Sequence, residues 1–346
     1  MARIKFGYVI VSSDPVYAIE QGVLAEKVGF DTVWLPDHFV DVNGDKLEPW
    51  TVLSAISMKT KRVRLGSAVT DVQRSHPSRT AHAVANLDVM SRGRAVLGIG
   101  AGEAMNIIPY GLPWDDAVGR VARLEEGIQL IKLLWGSSRQ QSANFEGQYY
   151  HLKDAFLSQP PRQKPHPPIF VGAFSSKRAL QVVGRLGNGW YAWLNTPDTF
   201  RTRWQIISQA AIAVGRSPSE IEPASHIMMA IPRKPSERKE AMKGAKATLA
   251  MEKTILKSYG QNSPIAHYQR LSVLPHDLPK ITEAAELIPD DIVEKTMAIG
   301  GIEEIEEKIQ SLSKAGVRHF AIADLLAPRS TRRTLPLLHK VIAHYN

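Results

Sequence analysis

Short runs rich in β-branched and aromatic residues alternate along the chain with longer runs whose apolar residues recur at helical spacing. Lys5 to Val11 reads as a strand. Asp14 and Pro15 then offer an N-cap and a first-turn proline, Val16, Ile19 and Val23 fall at helical spacing, and Gly29 stands where a helix stops. The alternation repeats with a strand at Thr32–Leu35, a helix at Pro49–Lys59, a strand at Val63–Val69, a helix at Pro77–Met90 with Gly93 behind it, and a strand at Ala95–Gly100. It resumes with a helix at Arg120–Trp135, whose Leu124, Ile128 and Ile131 share a face. Strands are expected at Ile169–Ala173, Gly189–Trp193, Ser225–Ile231 and His319–Ala323, and helices at Lys177–Val183, Pro197–Val214, Gly301–Ala315 and Arg329–His344.

This order means parallel strands joined by crossover helices. A weak internal echo supports repetition: "EKVGFDTVWL", "GRLGNGWYAW" and "SKAGVRHFAI" each run from a helix end through glycine into a strand. Eight such units close a (β/α)8 TIM barrel, with a doubly wound sheet as the rival. Two stretches interrupt the count. About 140–168, "NFEGQYYHL" and then "SQPPRQKPHPP" read as a hairpin followed by a stiff connector. About 232–298, the chain is polar, largely helical and longer than a crossover needs, which predicts an insertion over one mouth of the barrel. No low-complexity linker separates parts, so 1–346 reads as a single barrel domain with these two insertions.

A content of 44% hydrophobic and 22% charged residues is that of a folded protein and excludes a disordered chain, a collagen-like fibre and a coiled coil. The absence of cysteine removes disulfides, thiolate metal sites and cysteine nucleophiles, and fits a cytoplasmic location. The net charge of +9 favours anionic ligands, but the basic residues are dispersed. Their densest run, Arg233 to Lys246, also carries Glu237 and Glu240 and reads as a solvated helix face, so no nucleic-acid partner is expected. No signal peptide is expected, and no run reaches the ~18 apolar residues of a membrane span.

Candidate chemistry gathers at strand ends. Asp37-His38 follows the second strand, at the end where barrel active sites lie, and an imidazole titrates near neutrality. A purely structural histidine is the plainer alternative. "GIGAG" at Gly98–Gly102 follows the fourth strand and lacks the third glycine of a dinucleotide fingerprint. It reads either as a tight strand exit or as a flat loop that a planar ligand can approach. In Gly172–Lys177, backbone amides, two hydroxyls and a lysine could hold a phosphate, or Ser176 could simply cap a helix. The 11 histidines form no metal-ligand spacing, so no metal site is expected, and neither a nucleophile elbow nor a P-loop is present.

The motifs "FGYVI", "AEKVGFDTVWLPDHF", "RLGSAVTD", "SRGRAVLGIGAGEAMN", "RLEEGIQLIKLLW" and "IFVGA" resemble the luciferase-like superfamily, in the branch that uses the deazaflavin coenzyme F420. "LEPWTVL", "TDVQRSHP" and "NIIPYGLPW" look most like the phthiodiolone ketoreductase subgroup, with methylenetetrahydromethanopterin reductases and alcohol and sugar-phosphate dehydrogenases as further cousins. The resemblance implies a barrel with the coenzyme across its C-terminal mouth. It also implies hydride transfer between the ring C5 and a carbonyl/alcohol or pterin-bound carbon of a small-molecule substrate. Asp37 and His38 match the family's Asp-His pair, with His38 as the proton donor or acceptor at the substrate oxygen. Glu103 matches a catalytic glutamate near the ring, and Asn106 a polar ring contact. Ala68 and Val69 fall at the family's non-prolyl cis peptide behind the ring, and Gly172 and Ala173 at the segment near the coenzyme phosphate.

Some positions depart from the family's pattern. Phe174-Ser175 stands where relatives often have two glycines, Ser13 replaces a glutamate, and the tryptophan soon after "DHF" is absent, with Trp50 on a longer loop. A lysine near Thr196 and an arginine near Thr296, present in sugar-phosphate dehydrogenases, are missing, which disfavours a phosphorylated sugar. The alternatives are an FMN-dependent monooxygenase of the same superfamily and a barrel that has lost catalysis. A homodimer is expected because the family is often dimeric.

Overall fold

The computed structural model describes residues 3–41, 44–45, 47–261 and 277–345. Part of the expected helical insertion, 262–276, and positions 42, 43 and 46 of the loop after the second strand lie outside the described residues.

Eight parallel strands form a closed barrel: β1 (Lys5–Val9), β2 (Thr32–Leu35), β3 (Arg64–Ser67), β4 (Ala95–Gly100), β5 (Ile169–Gly172), β6 (Gly189–Trp193), β7 (Glu222–Ala230) and β8 (His319–Asp324). Each pairs with its sequence neighbour, β8 pairs with β1, and the β4–β5 ladder, with Phe170 opposite Gly98, completes the ring. Helices α1 (Pro15–Val28), α2 (Pro49–Lys59), α3 (Pro77–Met90), α4 (Ala117–Trp135), α5 (Lys177–Leu186) and α6 (Pro197–Ile212) follow the first six strands in turn. After β7 come α7 (Pro235–Met251), α8 (Lys253–Ser258), α9 (Leu278–Glu286) and α10 (Asp290–Thr296), then α11 (Ile302–Ala315) before β8 and α12 (Thr331–Tyr345) after it. The architecture is the (β/α)8 barrel, not the doubly wound sheet.

Local chemistry places the helix ends. Asp14 caps α1, its Oδ1 accepting from the N–H groups of Val16 at 2.8 Å and Tyr17 at 3.2 Å, and Gly29 closes it at φ 104°. Most boundaries shift from expectation by one to three residues, and two of the shifts have a visible cause. The third strand stops at Ser67, and Thr70–Asp71 pairs with the end of β4 after a cis Ala68–Val69 peptide. Strand β7 begins at Glu222, three residues early, because Pro223 lacks a donor but its carbonyl still accepts from the Arg318 N–H at 2.9 Å. In the 140–168 stretch, Ala143–Glu146 and His151–Ala155 pair as an antiparallel hairpin.

The barrel lumen is packed, not open. Val9, Trp34, Val96, Phe170, Tyr191, Ala224, Ala321 and Ala323 fill it. Trp34 has room because Gly66 stands beside it: a Cβ there would lie 2.4 Å from the indole ring. Lys5, Arg64, Glu222 and His319, each the first residue of its strand, close the N-terminal end around the Glu222 carboxylate. That carboxylate meets Lys5 Nζ at 2.7 Å, Arg64 Nη2 at 2.9 Å and His319 Nδ1 at 2.7 Å. Burial opposes its charge, but the His319 hydrogen bond and the Arg64 guanidinium outweigh it and hold Glu222 far below the usual carboxylate range. Burial, with the Arg64 charge beside it, pushes the fully buried His319 down, so the neutral ring donates Nδ1–H to Glu222.

Candidate active site

The opposite, C-terminal mouth collects the loops after β2, β3, β4 and β5, and with them the eight candidate catalytic and coenzyme-binding residues. Asp37 and His38 leave β2, Ala68 and Val69 leave β3, Glu103 and Asn106 follow β4, and Gly172-Ala173 ends β5.

His38, Asn106 and Glu103 form one cluster. Asn106 is 2% exposed, and its Oδ1 accepts from the N–H groups of Phe39 at 2.7 Å and Val40 at 3.0 Å. Those two bonds fix the amide's orientation, so its Nδ2 faces His38 Nδ1 at 3.0 Å as a donor. The neutral imidazole therefore accepts at Nδ1 and carries its proton on Nε2. Glu103 Oε2 lies 3.3 Å from the same Nδ1, and becomes its acceptor if the ring takes a second proton. One loop pair thus holds a tautomer in the neutral state and supplies a counter-charge in the cationic one.

Asp37 does not touch this cluster. Arg74 Nη1 meets its Oδ1 at 3.1 Å, and Arg74 Nη2 donates to its backbone carbonyl at 2.6 Å. The same guanidinium donates from Nε to Asp71, whose Oδ1 accepts the N–H groups of Gln73 and Arg74, each at 2.8 Å. Burial raises the Asp37 carboxyl despite the Arg74 charge, while the two aspartates hold Arg74 above its ordinary value against its own burial. The guanidinium also lies 5.1 Å from the centre of the Phe39 ring. Asp37 thus anchors the loop that carries His38.

Val69 stands between two glycines. A Cβ at Gly100 or at Gly172 would each come within 3.0 Å of its Cγ2, so bare backbone from β4 and β5 flanks it. The carbonyl of Ala173 accepts from Trp190 Nε1 at 2.8 Å, and Ser176 caps α5, accepting from the Ala179 N–H at 3.3 Å. Trp50 packs against the main core as the second residue of α2. A flat backbone strip beside a carboxylate and a fixed amide fits a planar ring, which needs close approach on one face and polar groups at its edge.

Several residues of the mouth escape a reading of the sequence. Arg74 and Asp71 have a local signal, an acid and an arginine three apart just after a strand. Glu252 has none. It sits at the junction of α7 and α8, and its Oε1 accepts from Trp193 Nε1, at the end of β6, at 3.0 Å. Burial first, and the charge of Glu103 second, push its carboxyl up to about 7. Trp193 in turn packs its ring 4.5 Å from that of His226, whose Nδ1 lies 2.9 Å from the Tyr191 hydroxyl.

A closed barrel with titratable groups gathered at its C-terminal mouth defines the enzyme class of this fold. The family model of luciferase-like monooxygenases matches residues 5–319, and the chain belongs to that family. It is 40% identical over 195 residues to an F420-dependent glucose-6-phosphate dehydrogenase of Microbacterium testaceum, a match that covers 54% of this chain and only 56% of that relative. It is 28% identical to a phthiodiolone/phenolphthiodiolone dimycocerosates ketoreductase of Mycobacterium tuberculosis over 97% of this chain and 96% of the relative. A solved F420-dependent secondary alcohol dehydrogenase in complex with an F420–acetone adduct has the same fold, with a TM-score of 0.84, 24% identity and 99% coverage of both chains.

Proposed function

We propose that the protein is a coenzyme F420-dependent oxidoreductase acting on a carbonyl/alcohol pair, with the coenzyme across the mouth described above. The observation that carries the reading is the His38–Asn106–Glu103 cluster set beside the glycine-flanked Val69. The F420 dependence of the dehydrogenase relatives supports the choice of coenzyme, and the ketoreductase relative supports a carbonyl substrate. When bound, the reduced coenzyme supplies a hydride from C5 of its ring.

The chain's own residues handle the proton and the positioning. As an imidazolium, with Nδ1–H toward Glu103, His38 offers Nε2–H to the oxygen of a ketone and is left a neutral ring; in the alcohol-oxidising direction the free Nε2 of the neutral ring takes the hydroxyl proton and the ring becomes cationic. Asn106 holds the ring in position from its Nδ1 side, and Glu103 stabilises the imidazolium that donates in one direction and forms in the other. Asp37, tied to Arg74, keeps the His38 loop from moving. Val69, Gly100, Gly172 and Ala173 form the surface against which the coenzyme ring and its phosphate end lie. A single barrel domain working as a cytoplasmic homodimer completes the proposal.

Titrating the purified chain with F420 and, separately, with FMN tests the reading through quenching of each coenzyme's fluorescence. Saturable F420 binding is expected. Tight FMN binding without deazaflavin binding replaces the reading with that of an FMN-dependent monooxygenase.

A further inference from the structure

The fold gathers basic residues that look dispersed along the chain. Three turns at the N-terminal end of the barrel, those before β3, β4 and β5, lie side by side because the strands they enter are paired. Arg94 joins the first two. Its Nε donates to the Ser91 carbonyl at 2.7 Å, and its Nη atoms donate to the carbonyls of Val63 at 2.7 Å and of Ser57 and Thr60, each at 3.0 Å. Gln163 joins the third. Its N–H and Nε2 donate to the Asp88 carboxylate of α3 at 2.8 Å and 2.6 Å, and a Cβ on Gly93 would lie 3.8 Å from the Arg162 side chain.

On this face the acids are spent on the chain's own amides and the bases are left to solvent. Asp88 is fully buried, and the Glu26 carboxylate accepts from the N–H groups of Lys61 at 2.9 Å, Arg62 at 2.6 Å and Val63 at 3.0 Å. Lys59, Lys61 and Arg62 of the first turn, Arg92 of the second, and Arg162 and Lys164 of the third are all exposed. Among the described residues none of these six meets a carboxylate in an ion pair. Around the insertion, by contrast, Arg238, Lys246 and Arg329 each do. Exposed apolar side chains stand among the six: Met58, 68% exposed, precedes Lys59, and Met90, 43% exposed, lies two residues before Arg92.

We propose that this N-terminal face docks on an anionic lipid surface. Like charges held together without counter-ions attract a partner that supplies many interchangeable anions, and the two thioether side chains suit the boundary between headgroups and acyl chains. The cations stand on turns, not along a helix or ribbon that would enter a nucleic-acid groove. Docking at this end leaves the C-terminal mouth, at the other end of the barrel, open to small molecules. The proposal does not rest on the F420 reading.

Sedimentation of the whole chain with lipid vesicles tests the face directly, using phosphatidylcholine alone or with about a third phosphatidylglycerol at about 0.1 M salt. Co-sedimentation with the anionic vesicles and not the neutral ones is expected, and it weakens as salt rises. Replacing four cations together, by Lys61→Ala, Arg62→Ala, Arg162→Ala and Lys164→Ala, weakens it roughly tenfold or more. Arg233→Ala, Lys234→Ala, Lys239→Ala and Lys243→Ala together remove the same charge from exposed positions in and just before α7 and leave binding near wild type. Should the first variant not fold, Arg162→Glu with Lys164→Glu, confined to the exposed connector, lowers binding in the same direction. No co-sedimentation with anionic vesicles, or an equal loss from both sets of substitutions, overturns the face. Tighter binding to a duplex oligonucleotide than to anionic vesicles of equal charge overturns the choice of a lipid surface.

Discussion

Two half-buried glutamates sit at opposite ends of one barrel and meet opposite fates. Glu222, at the N-terminal end, is surrounded by Lys5, Arg64 and a donating His319. Its charge is held so strongly that its carboxyl stays far below the usual range. Glu252, at the C-terminal mouth, has the Trp193 indole N–H and the like charge of Glu103, and its carboxyl rises to about 7. The same side chain is an ion that locks strands together in one place and a proton store in the other. The difference lies in the partners each end provides. Three strand-first residues converge on Glu222, itself the first of its strand, by barrel geometry alone, whereas loops of unequal length bring Glu252 beside the like charge of Glu103 with only a neutral indole donor as partner. Frustrated titratable groups in a cleft mark chemistry, and fully paired ones mark architecture.

Substitution at each end separates these roles. The largest effect expected is from His38→Ala, which lowers turnover of the F420-loaded enzyme by about 10²–10⁴-fold with coenzyme affinity and thermal stability near wild type. Turnover at the wild-type rate would move His38 to the architectural side of the comparison. Glu222→Gln comes next, destabilising the fold by roughly 3 kcal/mol, read from denaturant midpoints at neutral pH, while coenzyme affinity stays unchanged. Because Glu222 is depressed in the fold, its stabilisation is full above the unfolded carboxylate pKa. The gap between wild type and variant therefore narrows as pH falls below roughly 4.3.

Glu252→Gln has the opposite sign and the smallest size. A carboxyl raised to about 7 in the fold binds a proton that the unfolded chain has already lost, so wild-type stability declines as pH rises from the unfolded value toward 7. The glutamine variant carries no such penalty and is expected to be more stable than wild type by about 1–3 kcal/mol at pH 8, with no difference near pH 4. A stability difference that does not change with pH would show that Glu252 does not titrate in this window, and the contrast with Glu222 would fail.

Much of the molecule was legible in the chain before folding. Proline at the first turn of α1, α3 and α6, glycine after α1 and α11, and β-rich runs between the crossover helices mark the elements within a few residues. Their misplacements were local: Val63–Val69 reads as one strand because its apolar pattern continues past Ser67, where pairing in fact breaks. His38 was visible because it follows a strand at its C-terminal end, where barrel sites lie, and the superfamily resemblance added Glu103, Asn106 and Val69. Trp50, by contrast, is half-buried on α2 and packs against the core.

Glu252 and the basic N-terminal face were not legible, and the reason is physical. Alternation and capping are local properties, written in residues a few positions apart, so the amino-acid order alone determined the strand–helix repeat and the end of the barrel at which chemistry gathers. Whether a carboxyl or a guanidinium finds a counter-charge depends on contacts between segments distant in the chain, as between Trp193 and Glu252 or Gln163 and Asp88. Only the closed barrel decided those contacts, because burial and neighbouring charge, not residue type, set what an ionisable group can do.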